Sequence, residues 1–227
     1  MGLIFSVRMR IGLLLCIERE DIILVKAARN GNEEVIKLLL DMEGTLVKKF
    51  GNIALTWASY NGHAGVVKML LKKEFVDVNF VSQFGDTPLI LAACNGHHNA
   101  VKVLLEKEDT QVNLADKKEA TPLYLAAKYG HTKVVELLVK VENIEVNKAN
   151  FKGSAPLHLA AYLGRARVVK ILLKQEGIQI NQANFFGNTP ISLAAEKRHG
   201  KIVNMLLGTD EIRADGWAGW RPNADPA

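Results

Sequence analysis

The sequence predicts an all-α repeat solenoid, in which helix pairs stack on one another and short β-hairpin fingers connect them. The first observation is a segment, Phe84 to His97, that recurs about every 34 residues along the chain. The second is an apolar helical pattern after each copy, too short to bury its own apolar face. The third is a polar connector before the next copy. Together they predict about six stacked helix pairs.

The inner helix of each pair has recognisable start and stop signals. In the clearest copy, the Thr87 hydroxyl is expected to cap the helix, and Pro88 fits the first turn, where no backbone donor is needed. Gly96 is expected to end the helix in the left-handed conformation. Further copies begin at Ile53, Thr121, Ala155 and Thr189. The copy at Ile53 lacks both the cap and the proline.

The outer helices share a Val/Ile pair and a leucine-rich end about one turn apart on one face. They are predicted over residues 33–40, 64–71, 99–105, 132–139, 165–173 and 200–207. A first inner helix is predicted over residues 22–29. Each connector contains a β-branched residue expected in the core and an asparagine suited to a turn, as in Val78 and Asn79.

The hairpin fingers need residues with positive φ. Gly85, Gly153 and Gly187 occupy that position in three repeats. Glu119 takes it in the middle repeat, at a cost of about 1 kcal/mol if the backbone stays left-handed. Arg198 similarly replaces the glycine that should end the inner helix of the last full repeat.

Paired helices joined by fingers, with Thr-Pro-Leu and Gly-His signatures in register, resemble the ankyrin repeat. The resemblance covers roughly residues 20–212, which we interpret as the repeat domain. The unit here is one residue longer than is usual in that family. The family's Thr-Pro-Leu-His is complete nowhere; Pro156, Leu157 and His158 come closest, but Ala155 replaces the threonine.

The two ends are interpreted separately. Residues 1–19 are predicted to form an N-terminal apolar helix or capping segment, in preference to an imperfect gene start. The start also matches the pattern for N-myristoylation at Gly2. Residues 213–227 are either a tail or a truncated further repeat, because Trp220 and Pro222 fall where a new finger and helix would begin. We favour the truncated repeat.

Composition and motifs argue against catalysis. The net charge of +5 permits an acidic partner without requiring one, and two cysteines predict a reducing compartment, cytoplasmic or nuclear. The sequence contains no phosphate-binding loop, no serine-nucleophile elbow and no zinc-protease motif. We therefore predict neither an enzyme nor a metal or other cofactor. Cys94 is predicted to be an unreactive thiol at a surface-facing loop position.

The histidines receive a structural interpretation from the family resemblance. His63, His97, His131 and His199 occupy the Gly-His position, where the resemblance implies that the imidazole ties neighbouring loops together. His158 occupies the position that the family uses for capping.

The resemblance also implies a concave face, built from the fingertips and the ends of the inner helices. Eight of the chain's fifteen aromatic residues fall at those positions, together with six lysines and only two acidic residues. Large rigid apolar groups beside charges are typical of recognition surfaces. The residues predicted to bind a partner, called the predicted groove below, are Phe50, Tyr60, Phe84, Lys117, Lys118, Lys128, Tyr129, Phe151, Lys152, Tyr162, Phe185, Phe186 and Lys197.

The leading hypothesis is a monomeric, non-catalytic module that binds another protein, with an acidic or mixed segment, through this groove. One alternative is binding of nucleic acid or an anionic surface through the groove lysines, which is disfavoured because arginine is nearly absent there. Membrane association is expected only through a myristoyl group on Gly2. A third alternative is the regulatory region of a larger enzyme. A structural role remains open for the fingertip aromatics, which could pack only on neighbouring fingers.

Overall fold

The computed structural model describes residues 23–41 and 45–209, with the side chains of residues 45 and 46 excepted. The chain divides into two compact units between Lys117 and Lys118, and each is described by itself. The predictions for residues 1–19, for Gly2 and for residues 213–227 lie outside the described residues.

The first unit contains six described helices: α1 (Ile23–Asn30), α2 (Glu33–Asp41), α3 (Thr45–Asn61), α4 (Ala64–Leu70), α5 (Pro88–Cys94) and α6 (His98–Leu105). The inner helices α1, α3 and α5 contact one another in succession. The outer helices α2, α4 and α6 form a second row. Small residues of α1 and α3, such as Ala28, Ala54 and Ala58, are completely buried, which lets the helices approach closely.

The second unit repeats the arrangement with six more described helices: α7 (Pro122–Tyr129), α8 (Thr132–Leu138), α9 (Pro156–Tyr162), α10 (Ala166–Leu172), α11 (Pro190–Glu196) and α12 (Gly200–Leu207). Inner helices α7, α9 and α11 pack in one row, and outer helices α8, α10 and α12 in the other. Leu138, Leu172 and Leu206 of the outer helices are completely buried between the rows. The predicted all-helical repeat fold is confirmed.

The predicted capping signals are confirmed. The hydroxyl oxygens of Thr87, Thr121 and Thr189 each accept a hydrogen bond from the backbone N–H three residues later, at 3.2, 3.1 and 3.3 Å. Ala155 cannot make this bond. In that repeat, Nδ1 of His158 instead accepts from the Ala155 backbone N–H at 3.2 Å, so the imidazole does cap the helix.

The second repeat departs from the prediction. The predicted groove places Phe50 on a fingertip, and that expectation is wrong, because α3 runs without interruption from Thr45 to Asn61. No proline stands in this helix to stop it, and Gly51 lies inside it with a buried backbone rather than in a turn. In the later repeats, a capping bond and a proline mark where the finger ends and the inner helix begins. The copy at Ile53 lacks both signals.

The remaining fingers are hydrogen-bonded turns, and no β-strand occurs among residues 23–41 and 45–209. In the second unit, the Asn150 N–H donates to the Ser154 carbonyl at 3.1 Å and so closes one finger. Adjacent fingers are joined by backbone bonds: the Phe151 N–H donates to Lys118 at 3.3 Å, and the Phe185 N–H donates to Lys152 at 3.1 Å.

The residues predicted to have a positive φ do have one in the structure. Gly85, Gly153 and Gly187 have φ of 87°, 71° and 75°. Glu119 and Arg198, each at 58°, are the non-glycine residues with positive φ among the described residues. None of the described helices is long and apolar enough to cross a membrane.

Candidate aromatic and basic surfaces

Three phenylalanines of the predicted groove are exposed on adjacent fingertips of the second unit. The exposed fraction is 49% for Phe151, 78% for Phe185 and 68% for Phe186. Large apolar side chains at such exposure are unusual enough to indicate an interaction surface when they are adjacent. The interpretation that these rings serve only to fill space between fingers is therefore disfavoured for Phe185 and Phe186.

Buried asparagines hold these fingertips from inside. Oδ1 of Asn184 accepts from the backbone N–H groups of Phe186 and Asn188, each at 3.0 Å. Asn150 makes the equivalent pair of bonds at 3.1 Å to Lys152 and Ser154. Both asparagines are buried, so the turns that present the phenylalanines are fixed rather than adaptable.

Lysines accompany the aromatic rings in the same unit. The Nζ atom of Lys152 lies 5.6 Å from the centre of the Phe151 ring, and that of Lys128 lies 5.2 Å from Tyr129. At the end of α11, Lys197 lies 4.7 Å from the half-buried Tyr162 ring. These are cation–π distances, which orient a charge beside each apolar surface.

Lys197 is also paired with a carboxylate. Its Nζ lies 2.8 Å from Oε1 of the neighbouring Glu196. The hydrogen bond to Glu196, followed by the interaction with Tyr162, raises the pKa of Lys197. This lysine therefore stays charged at neutral pH, but part of its charge is already neutralised by Glu196. Lys118 is exposed beside the Phe151 finger, and its carbonyl accepts the Phe151 N–H.

The first unit contains the other members of the predicted groove. Phe84 is half-buried on the finger that ends at Gly85, and Lys117 donates from Nζ to the Gln83 carbonyl at 2.7 Å. Phe50 and Tyr60 lie on α3 and pack, half-buried, against a core cluster that includes Trp57. The structure thus brings Phe50 and Tyr60 together, on a helix rather than on a fingertip.

Sequence reasoning missed Trp57 and the arginine that covers it. The Trp57 side chain is 4% exposed, and the Tyr60 ring meets it edge-on at 5.9 Å. The guanidinium carbon of Arg29 lies 4.9 Å from the Trp57 ring centre. A signal for Trp57 was present in the sequence, because the next four repeats have leucine at this position: Leu91, Leu125, Leu159 and Leu193.

Three of the four Gly-His histidines show the structural role that the family resemblance implies. Nε2 of His63 donates to the Arg29 carbonyl at 3.0 Å, and Nε2 of His97 donates to Tyr60 at 2.9 Å. His199 makes the equivalent bond to Tyr162 at 3.1 Å. Within the described ranges, no group of three or more histidine, cysteine or carboxylate side chains could hold a metal ion.

Cys94 does not lie where it was predicted. It is the last residue of α5 and is 7% exposed, so the prediction of a surface-facing loop position is wrong. The inner helix includes Cys94, whose side chain is covered by packing. A buried thiol is poorly placed to react, which agrees with the unreactive role expected for it.

Asp86 is a buried carboxylate at the base of the finger that carries Phe84. Burial, together with the neighbouring charge of Asp116, raises the pKa of Asp86 to about 6, although Lys117 partly opposes the shift. An aspartate with this pKa is partly protonated near neutral pH. No catalytic partner accompanies it among the described residues, so we interpret Asp86 as a structural group whose ionised form is destabilised by burial.

Comparison with known families agrees with this architecture. Three copies of the family model for ankyrin repeats match residues 10–80, 73–150 and 141–215. A search of curated proteins found no match. The matched segments together span most of the sequence, in register with the helix pairs described above. The chain therefore belongs to the family of ankyrin repeat proteins.

Proposed function

We propose that this chain is a non-catalytic protein-binding module whose second unit holds its partner through exposed fingertip aromatics. Ankyrin repeats are generally protein–protein interaction modules and are typically non-catalytic. The observation that carries the proposal is the exposure of Phe151, Phe185 and Phe186 on two adjacent, internally braced fingers. Burying such rings against a partner supplies affinity, and their rigidity lowers the entropic cost of binding.

The half-buried tyrosines complete the proposed surface. Tyr129 and Tyr162 present partly exposed rings at the ends of α7 and α9, each beside a lysine. Lys118, Lys128 and Lys152 favour a partner with an acidic or mixed surface. In the first unit, the half-buried Phe84, Tyr60 and Phe50 and the exposed Lys117 are proposed as additional contacts.

The test is binding of the purified partner captured by the whole chain, compared between Phe186→Ala and the parent protein. Truncation of a true anchor should cost roughly 2 kcal/mol or more in binding. The same change should shift stability by about 0.5 kcal/mol or less, because the ring is mostly in solvent. The matched control is Leu38→Ala, because Leu38 is 66% exposed on the outer helix α2 and lies outside the predicted groove.

The opposite pattern would overturn the proposal. If Phe186→Ala lowered the melting temperature while capture of the partner stayed unchanged, the fingertip rings would serve folding alone. Salt dependence separates the main alternative: affinity for nucleic acid would fall steeply with ionic strength, whereas an aromatic-anchored protein interface would weaken modestly.

A further inference from the structure

The first unit contains a second candidate surface, which adjoins Phe50 and Tyr60 of the predicted groove and includes no fingertip of the second unit. It centres on Arg29, at the last turn of α1, and on Trp57, four residues before the end of α3. These two residues belong to different repeats and meet at 4.9 Å. Neither belongs to the predicted groove, and no residue of the second unit takes part.

Arg29 is fixed at both its backbone and its side chain. Its carbonyl accepts the Nε2–H of His63 at 3.0 Å, which holds the end of α1 in place. Its guanidinium stacks on Trp57, whose ring is held edge-on by Tyr60 and packed on Val25 and Leu91. An arginine held over an aromatic ring in this way keeps its charge beside an apolar surface, and its guanidinium still has N–H donors to offer.

Those donors are not used within the described part of the chain. The Arg29 guanidinium makes no hydrogen bond or ion pair with any residue in 23–41 or 45–209, although the residue is exposed. The indole Nε1 of Trp57 is likewise buried without a hydrogen-bond partner among the described residues. Buried polar groups in proteins are usually satisfied, so each unsatisfied one needs an explanation.

The two helices that meet at Arg29 and Trp57 carry only basic charges, although the neighbouring α2 begins with Glu33 and Glu34. Helices α1 and α3, which form this surface, contain Lys26, Arg29, Lys48 and Lys49 and no acidic residue. The Nζ atom of Lys49 lies 5.3 Å from the Phe50 ring, which packs on the same core cluster as Trp57. Charge complementarity therefore favours an anionic group on whatever binds here.

We propose that Arg29, held over Trp57, recognises a carboxylate in an acidic segment of a partner protein, with Lys49 as a second charge contact. A planar guanidinium pairs with a carboxylate through two parallel hydrogen bonds, which gives direction as well as affinity. Four basic residues on two helices do not make the continuous stripe that nucleic acid requires. The aromatic and apolar setting fits a peptide, whose side chains contact both the charge and the rings.

The experiment is a selection from a random peptide display library on the whole chain, in parallel with its Arg29→Ala, Arg29→Lys and Lys37→Ala variants. Lys37→Ala is the matched control, because it removes one exposed positive charge from the outer helix α2. Peptides selected by the parent chain should be enriched in aspartate and glutamate. One of the selected acidic peptides, made synthetically, should bind Arg29→Ala about tenfold or more weakly than it binds the parent chain. It should bind Arg29→Lys several-fold more weakly. Lys37→Ala should leave its affinity within about twofold.

The Trp57 indole provides a readout that a merely structural role would not move. The chain has three tryptophans, and the Trp57 indole N–H resonance can be assigned by its loss in Trp57→Phe. The acidic peptide should shift this resonance, and its counterpart with glutamine for glutamate should not. The double variant Phe185→Ala, Phe186→Ala should keep the shift, which separates this site from the fingertip surface.

Several results would overturn the proposal. One is a set of peptides selected by the parent chain that is not enriched in acidic residues. Another is a set selected by Arg29→Ala that matches the parent's set. A third is an acidic peptide that leaves the Trp57 indole N–H resonance unshifted. Tighter Arg29-dependent binding of a single-stranded oligonucleotide would assign the site to phosphate instead of a protein carboxylate. Thermal unfolding of each variant establishes that it is folded, and Arg29→Lys keeps the test informative if Arg29→Ala is unstable.

Discussion

The ring of Phe185 lies directly over Gly153 of the preceding fingertip. A Cβ atom placed on Gly153 would be 2.6 Å from Cδ1 of that ring, closer than any real Cβ contact. Phe185 nevertheless keeps 78% of its surface in solvent. One face of the ring is therefore seated on the neighbouring finger while the other face remains available to a partner.

Gly153→Ala is expected to cost more stability than Gly187→Ala. Both glycines are left-handed, at 71° and 75°, so each substitution carries about 1 kcal/mol of backbone strain. Only Gly153 has a ring above it, whereas nothing lies within 4 Å of a Cβ at Gly187. Chemical denaturation should give a difference of about 1 kcal/mol, which should vanish in a Phe185→Ala background. Equal costs in the parent background would mean that the ring moves aside freely.

Glu119→Gly is expected to stabilise the chain by about 0.5–1 kcal/mol. Glu119 is held at a φ of 58°, and a left-handed L-residue costs about 1–2 kcal/mol, part of which glycine returns through unfolded-state entropy. The control is Glu108→Gly, the same exchange at an exposed connector residue without positive φ, which should destabilise by about 0.5–1 kcal/mol. The denaturant midpoints of the two variants should move in opposite directions. Movement in the same direction would contradict the backbone strain inferred at Glu119.

Asp86→Asn is expected to stabilise the chain at pH 7–8 and to remove part of its pH dependence. The folded pKa of about 6 exceeds the ordinary 3.8, so the folded state binds the Asp86 proton more tightly than the unfolded state does. Stability from this residue therefore falls as pH rises from about 4 to 7. Because Asp86 is buried, the loss is on the order of 2 kcal/mol.

The measurement is the difference in unfolding free energy between Asp86→Asn and the parent chain across pH 4–8. Taking this difference removes the contribution of His158, which both chains share. Burial lowers the pKa of His158, so its contribution to stability is lost as pH falls below its ordinary pKa of 6.5. The exposed Asp109 supplies the control, since Asp109→Asn should leave the profile unchanged. A difference that does not grow with pH would show that Asp86 ionises without penalty.

Amide hydrogen exchange should be slower in α9 and α10 than in α11 and α12. Helices α9 and α10 contact helices on both sides within the second unit, whereas among the described residues α11 and α12 contact helices only on the side of α9 and α10. Nearest-neighbour coupling in repeat proteins then makes the one-sided pair open first. Arg198, at a φ of 58°, weakens that pair further. Equal protection over residues 156–172 and 190–207 would contradict this expectation.

The repeat architecture could be predicted because its signals are local. Thr87, Thr121 and Thr189 cap helices through a bond that spans three residues, and the left-handed backbone of Glu119 followed from its register with the glycines. The continuous helix α3 was missed because the absence of Thr and Pro at Ile53 was interpreted as weakening a repeat. Without a capping residue and a proline to fix where the helix begins, α3 extends further towards its N-terminus instead.

The surfaces were less predictable, because they depend on contacts between repeats. The sequence placed Phe185 at a fingertip, but only the neighbouring Gly153 decides which face of its ring is covered. Arg29 lies outside every recognised signature, and its position over Trp57 arises from packing of residues 28 positions apart. The burial of Cys94 likewise depends on tertiary packing, which a single repeat unit does not contain.

The loop-to-loop bonds made by His63, His97 and His199 all run from Nε2 to a carbonyl oxygen. Such a position requires a donor and makes no demand on the other ring nitrogen. The same requirement explains why Arg165 can replace histidine in its repeat, where its Nε donates to the Lys128 carbonyl at 3.3 Å.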